Sequence, residues 1–318
     1  MLTEEVEQCY VCESEESDQF RTFDYPDLKL EGSFHLRRCK NCGLVFNSPR
    51  LTRESGAILY DTDYYVFDAE TNSEYREEAR RDFSRVIAVS KPGSRLLEIG
   101  CARGHLLTLA QQKGYDVRGV EISEYASKIA RASGIPIFTG TLEQTSFEES
   151  SFEVIVAQDV LEHVHNPLIF LEIICRYLTK DGLLILETPN IASIFAWLGG
   201  KKWIGFNQYH IFLFSPKTLI RLSLKAGLDV VNLETAEANL FSLDSLRRLG
   251  MGNLLGSKIR SRIGSWLRAK KLKNNKEDSI PSSDVNLQNA RESIISKWLN
   301  NHKLGDQLLL YARRSGET

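Results

Sequence analysis

Four cysteines stand in two C-x-x-C pairs, Cys9 with Cys12 and Cys39 with Cys42. Each pair can place two sulfurs on one ion, and two pairs supply the four thiolates of a closed tetrahedral zinc site. Such a site has no open position, so its expected role is structural; the alternative is a set of redox or packed thiols. Cys101 and Cys175 have no such spacing and read as packing residues. A second group lies between Ser94 and Ser123, where Glu98, Gly100, Gly104 and Glu121 follow one another. Glycines there let backbone approach a ligand, and an acid at the tip of a strand can accept bonds from ribose hydroxyls. The chemistry expected is the binding of an adenosine-containing cofactor. Three histidines, His163, His165 and His210, are candidates for moving a proton.

The elements that must position these residues follow from periodicity. Leu96, Leu97 and Ile99 form a short apolar strand, and Val117, Gly119 and Val120 a second, with a helix between them. Strands are expected near 95–99, 116–121, 135–138, 153–157, 183–188, 228–234 and 307–313. Helices are expected near 72–90, 104–113, 124–133, 167–178 and 216–226. Ser215-Pro216 supplies a helix start and Gly227 a stop. Alternating strands and helices predict an α/β protein with a mostly parallel sheet covered on both faces.

The loop after the first of these strands reads E-x-G-x-x-x-G, with Ala102 where a dinucleotide fingerprint has its second glycine. In this form it resembles the first motif of class I S-adenosylmethionine-dependent methyltransferases, (D/E)-x-G-x-G-x-G. SFEVIVAQDVLEHVHNP, LTKDGLLILETPN and YHIFLFSPKTLIRLSLKAGLDVVNLE are similar to the later motifs of that family, in order. The resemblance spans roughly residues 75–235 and the last strand. It implies a Rossmann-like seven-stranded sheet whose last strand is antiparallel and inserted between strands five and six. It also implies a cofactor role for Glu98, Gly100, Cys101 (through its backbone), Gly104, Glu121, Ile122, Leu142, Glu143, Gln158, Asp159 and Val160. Glu98 would accept from the ammonium group, Glu121 from the ribose, and Ile122 would pack on the adenine. His210 matches the second histidine of an HEHLSYFS-like segment in sugar C-methyltransferases, which also carry an N-terminal zinc module. It is the candidate base, although Gln208 and Tyr209 replace the residues that precede it there.

The expected organisation is a zinc-ribbon-like module over 1–50 and a linker or substrate lid over 51–71, with Tyr64 and Tyr65. A methyltransferase domain would follow over 72–235 and 306–318, with a basic helical insertion and flexible linker over 236–305. The chain has 318 residues, 42% hydrophobic and 26% charged, with a net charge of −2. It shows no signal-peptide pattern and no long apolar run, so the expected compartment is the cytoplasm. The segment Leu246–Lys273 is rich in Lys and Arg, contains no acid and has apolar residues at helical spacing. It suits a lid over the core, an anionic membrane surface or a phosphate-bearing partner.

The segment QDVLEH stands where enzymes that methylate exocyclic base amines carry N-P-P-(Y/F). Together with the acidic N-terminus, this counts against nucleic acid as partner. The function expected is methyl transfer to a small-molecule acceptor. O-methylation of a saccharide or related metabolite comes first, nucleotide- or lipid-linked acceptors included, as in polysaccharide biosynthesis. An RNA methyltransferase and an inactive scaffold are the alternatives.

Overall fold

The computed structural model of the protein describes residues 2–24, 33–56, 72–236 and 300–316. The N-terminal part holds β1 (Thr3–Glu4), β2 (Ser17–Asp24), β3 (Ser33–Cys39), β4 (Val45–Asn47) and β5 (Arg50–Leu51). Helix α1 (Asn72–Val89) then leads into β6 (Arg95–Ile99), α2 (His105–Gln112), β7 (Asp116–Glu121), α3 (Glu124–Ala132) and β8 (Ile137–Thr139). Next come β9 (Phe152–Gln158), α4 (Pro167–Tyr177), β10 (Leu178–Pro189), α5 (Ile194–Gly199), β11 (Phe212–Leu213) and α6 (Pro216–Lys225). β12 (Leu228–Ala236) and β13 (Gln307–Arg314) close the fold.

The large sheet has the order β12-β13-β10-β9-β6-β7-β8. Its five central and edge strands from β10 to β8 run parallel, while β13 is antiparallel to both neighbours. The seven-stranded arrangement with an inserted last strand is therefore present. Central strands covered on both faces must be apolar throughout. Val154 to Ala157 and Leu184 to Leu186 are buried accordingly. Helix starts are fixed by side chains: Ser123 accepts from the N–H of Ala126, Asn166 from Ile169 ahead of Pro167, and Ser215 from Thr218.

β10 begins at Leu178, ahead of the start expected near 183, with a shift in its pairing to β9 between Leu178 and Leu183. The N-terminal module packs against the large domain. β11, from the segment before α6, pairs antiparallel with β4 and completes a sheet ordered β11-β4-β3-β2. Cys9, Cys39, Leu44 and Phe46 share one buried cluster with Phe170, Phe212 and Leu219 of the large domain. Tyr64, Tyr65 and the basic segment 246–273, with the flexible linker expected beside it, lie outside the described residues. Among the described residues no helix is long and apolar enough to cross a membrane.

Candidate functional site

The carboxyl ends of the parallel strands open onto a cavity of about 1000 Å³. α/β sheets bind ligands at this edge because strand ends and helix N-termini converge there. The loop after β6 has three residues in the left-handed region, Gly100 (φ 72°), Ala102 (φ 45°) and Gly104 (φ 70°). A Cβ at Gly100 would meet Val160 Cγ2 at 2.5 Å, so the loop can bend under the cavity only with glycine there. Ala102 tolerates the strained conformation because its N–H is held by Glu121 Oε2 at 2.9 Å. The other oxygen of Glu121 accepts from the N–H of Ser123 at 2.8 Å. One carboxylate thus ties the loop after β6 to the start of α3.

Of the expected cofactor residues, Gly100, Glu121, Ile122, Leu142, Glu143, Asp159 and Val160 line the cavity. Ile122 is 47% exposed, an apolar side chain offered to a flat ring. Glu98 lies beneath the loop; its Oε2 is buried without a hydrogen-bond partner. Burial, then the charges of Asp82 and Glu121, push its carboxyl well above the usual range. An ammonium group reaching that oxygen would remove the penalty. This orphaned oxygen, the Gly100 cradle and the exposed Ile122 fit S-adenosylmethionine.

Gly104 and Gln158 stand elsewhere, while Cys101, expected to act through its backbone only, keeps its thiol in the core. Gly104 sits behind the lining, against Ala130, where it starts α2. The Cys101 thiol packs in the core beneath Gly119, because a side chain next to Gly100 points away from the cavity. Gln158 turns into a buried network in which Arg85 binds both Asp82 and Glu187, and its Nε2 lies 3.5 Å from Glu187 Oε2.

Asp159 follows Gln158 with φ 49°, and this turn carries its side chain into the cavity. Solvent reaches it through the cavity, yet protein surrounds it. Burial, reinforced by the charge of Glu187, raises its carboxyl to about 7. The ionised form favours a ligand carrying sulfonium and ammonium charges. Cofactor affinity measured by calorimetry should therefore rise from about pH 6 to about pH 8, and Asp159→Asn should flatten that rise. A slope unchanged by the substitution would assign the titration to another group.

The cavity is also lined by Asn47 and Arg50 from the N-terminal module, by Leu51, Arg53 and Glu54 from the start of the segment expected as a linker or substrate lid, and by Gln208, Tyr209 and Ile211 from the segment before β11. Arg50 is buried, bound to Glu4 and to the carbonyl of His165 at 2.8 Å each. Arg53 reaches across to Glu143 at 3.1 Å, joining the module to the adenine end.

His210, the expected base, is not among the lining residues; His163 and His165 are. Its ring lies behind that of His163, the two centroids 4.9 Å apart. Burial, then the neighbouring His163, lowers His210 to about 3, and burial lowers His163 to about 4. Both are neutral and weakly basic near pH 7, which is poor matching for a general base.

The four cysteines of the two pairs are brought together, every sulfur within 4.8 Å of the others. Cys9 Sγ lies 3.5 Å from Cys42 Sγ, and Cys12 Sγ 3.5 Å from Cys39 Sγ. Sulfurs about 2.3 Å from a tetrahedral zinc stand about 3.8 Å apart, so the set fits the ion. The Sγ contact from Cys9 draws the Cys42 thiol down to about 5, and the same contact raises Cys9.

The sequence matches the family model described as a methyltransferase domain over residues 71–233. It is similar to the ubiquinone biosynthesis O-methyltransferase of Cereibacter sphaeroides, 32% identical over 173 residues, covering 49% of this chain and 69% of that protein. The enzyme of the same name from Roseobacter denitrificans is 32% identical over 168 residues, covering 48% and 67%. The crystal structure of a SAM-dependent methyltransferase from Archaeoglobus fulgidus aligns with 79% of this chain and 99% of its own, at 18% identity and a TM-score of 0.50. That likeness speaks for the fold alone.

Proposed function

The chain belongs to the methyltransferase-domain family and is an S-adenosylmethionine-dependent methyltransferase; on that premise we propose that it methylates a hydroxyl oxygen of a small polar acceptor, a saccharide or related metabolite. The observation that carries this reading is the acceptor wall. Arg50, Arg53, Glu54, Gln208, Tyr209 and His165 all line one end of the cavity. Donors and acceptors in that density suit a polyol better than an apolar ring.

The cofactor supplies a methyl group already activated on sulfur. The protein's work is then to align the two reactants and exclude water. Glu98, Glu121, Ile122, Leu142 and Glu143 hold the cofactor end, and Arg53 of the acceptor wall pairs with Glu143 across the cavity. His163 donates from Nδ1 to the carbonyl of Tyr209 at 2.9 Å, which fixes its ring at the boundary between the two ends. The four thiolates of Cys9, Cys12, Cys39 and Cys42 would hold a structural zinc ion, which would fix β3 and β4 and, through β11, the acceptor wall.

Incubation with labelled cofactor and a panel of nucleotide-linked sugars, free sugars and prenylated phenols tests this reading. We expect label in a sugar as a stable methyl ether. Turnover confined to the phenols would instead align the chain with the acceptor chemistry named for its ubiquinone-pathway relatives.

A further inference from the structure

Behind the cavity wall, three side chains from two segments converge. Glu162 and His163 follow β9, and His210 precedes β11. The segments are stapled by main chain: the carbonyl of Glu162 accepts from the N–H groups of Ile211 at 2.7 Å and Phe212 at 3.1 Å. His163 Nδ1 donates to the carbonyl of Tyr209 at 2.9 Å, and His210 Nδ1 to that of Gly205 at 2.9 Å. A carbonyl only accepts, so both Nδ1 atoms carry the proton and both Nε2 atoms are acceptors. This is the second-shell arrangement that presents histidine to a metal.

His163 Nε2 stands 3.8 Å from Glu162 Oε1. One ligand atom from each of Glu162, His163 and His210 lies within 4.8 Å of the others. Glu162 is 0% exposed. Its Oε2 accepts from Thr188 Oγ1 at 2.9 Å, but Oε1 is buried without a hydrogen-bond partner. Asn207 Nδ2 is 3.3 Å from both ring nitrogens of His210 and donates to the carbonyl of Ile204 at 3.0 Å. An amide equidistant from both nitrogens lies off the Nε2 lone-pair axis. A bare buried carboxylate oxygen beside two imidazoles is costly, and a cation would satisfy it.

We propose that Glu162, His163 and His210 bind a divalent transition-metal ion of the Mn²⁺, Fe²⁺, Co²⁺ or Zn²⁺ class at the boundary between the cofactor and acceptor ends. Two imidazoles and one carboxylate suit these ions better than Mg²⁺ or Ca²⁺, which prefer all-oxygen shells. Three protein ligands leave open positions, and of the three residues His163 lines the cavity. The role of the ion rests on the methyl-transfer reading; its binding does not. A hydroxyl held beside it releases its proton more readily, and the proton leaves to water through the cavity mouth. The oxygen–carbon bond forms as the carbon–sulfur bond of the sulfonium breaks, and sulfur departs as a neutral thioether. No basic side chain is then required.

The test uses the full chain with zinc loaded at the cysteines, titrated with Mn²⁺ and followed by the paramagnetic resonance of the free ion. Thiolates are poor Mn²⁺ ligands, so the cysteine site does not interfere. We expect about one Mn²⁺ per chain, and at least about tenfold weaker binding in Glu162→Gln and in His210→Ala. Glu162→Gln keeps an acceptor for Thr188; if it fails to fold, His210→Gln serves in its place. No uptake by the wild-type chain, or equal affinity in the folded variants, overturns the site. Calorimetry with S-adenosylmethionine on the same samples separates the two readings: loss of cofactor binding would count against methyl transfer, whereas Mn²⁺ uptake reports on the ion alone.

Discussion

Cys39→Ser is expected to lower zinc content to below one ion per chain, to drop the melting temperature sharply and to abolish acceptor turnover. Structural zinc sites of this type contribute on the order of 10 kcal/mol to folding, as much as a whole domain's net stability. The sulfurs are not at the edge of the molecule. Cys9, Cys39 and Cys42 are 2%, 1% and 6% exposed, within the cluster that includes Phe46, Phe170 and Phe212. Cys39 ends β3, and its N–H donates to the carbonyl of Leu44 at 2.9 Å, so its loss loosens the turn into β4. β4 in turn holds β11, next to His210 and Tyr209. The damage should therefore reach the acceptor wall first, while the loop after β6 on the far strands retains measurable cofactor affinity. Metal analysis, thermal unfolding and calorimetry check the three parts. A chelator is a poorer probe, because it would also strip an ion held by Glu162, His163 and His210. Wild-type stability in Cys39→Ser would show that the thiols pack without a metal.

The parallel sheet was legible because fully covered strands cannot alternate. Val154 to Ala157 and Leu184 to Leu186 are continuous apolar runs with no other reading at that length. The cofactor loop was legible because bent backbone at Gly100 admits few residues. Other features depend on contacts between distant segments, which periodicity does not report. A two-residue strand such as β11 has no period, and only its partner β4 makes it a strand. The face presented by a loop histidine is likewise set by its neighbours. His163 and His210 are each oriented by a carbonyl from a loop segment, at Tyr209 and Gly205. Gln158 is a different case. It ends a strand whose alternate residues enter the core, and period-two reasoning assigns its side chain to the layer of Glu187. Asp159 escapes that rule only because its φ of 49° breaks the strand.

Glu121→Ala should weaken S-adenosylmethionine binding by at least about a hundredfold and leave a folded protein. The carboxylate is 3% exposed and serves two loops at once. Oε2 holds the N–H of Ala102 at 2.9 Å, and Oε1 that of Ser123 at 2.8 Å. Hydrogen bonds to a charged group are worth about 1.5–3 kcal/mol each. Removal costs both backbone bonds, and a loss of about 2.7 kcal/mol already equals a hundredfold in affinity. Ala102 is the sensitive point. Its left-handed backbone is strained for an L-residue, and the Glu121 bond is the restraint that keeps the cofactor loop in shape. Glu121→Gln discriminates between the two contributions. Its amide oxygen can still accept one N–H, while its amide nitrogen faces the other with no acceptor to offer. An intermediate loss, about tenfold, is expected, because one loop contact survives. If Glu121→Gln and Glu121→Ala lose affinity equally, charge toward the cofactor is the whole effect. If both bind as the wild type does, Glu121 is a loop tie that never touches the ribose. The sheet itself should be indifferent, since β7 is held by its register with β6 and β8. Thermal unfolding within a few degrees of wild type would confirm that the change is local to the cofactor site.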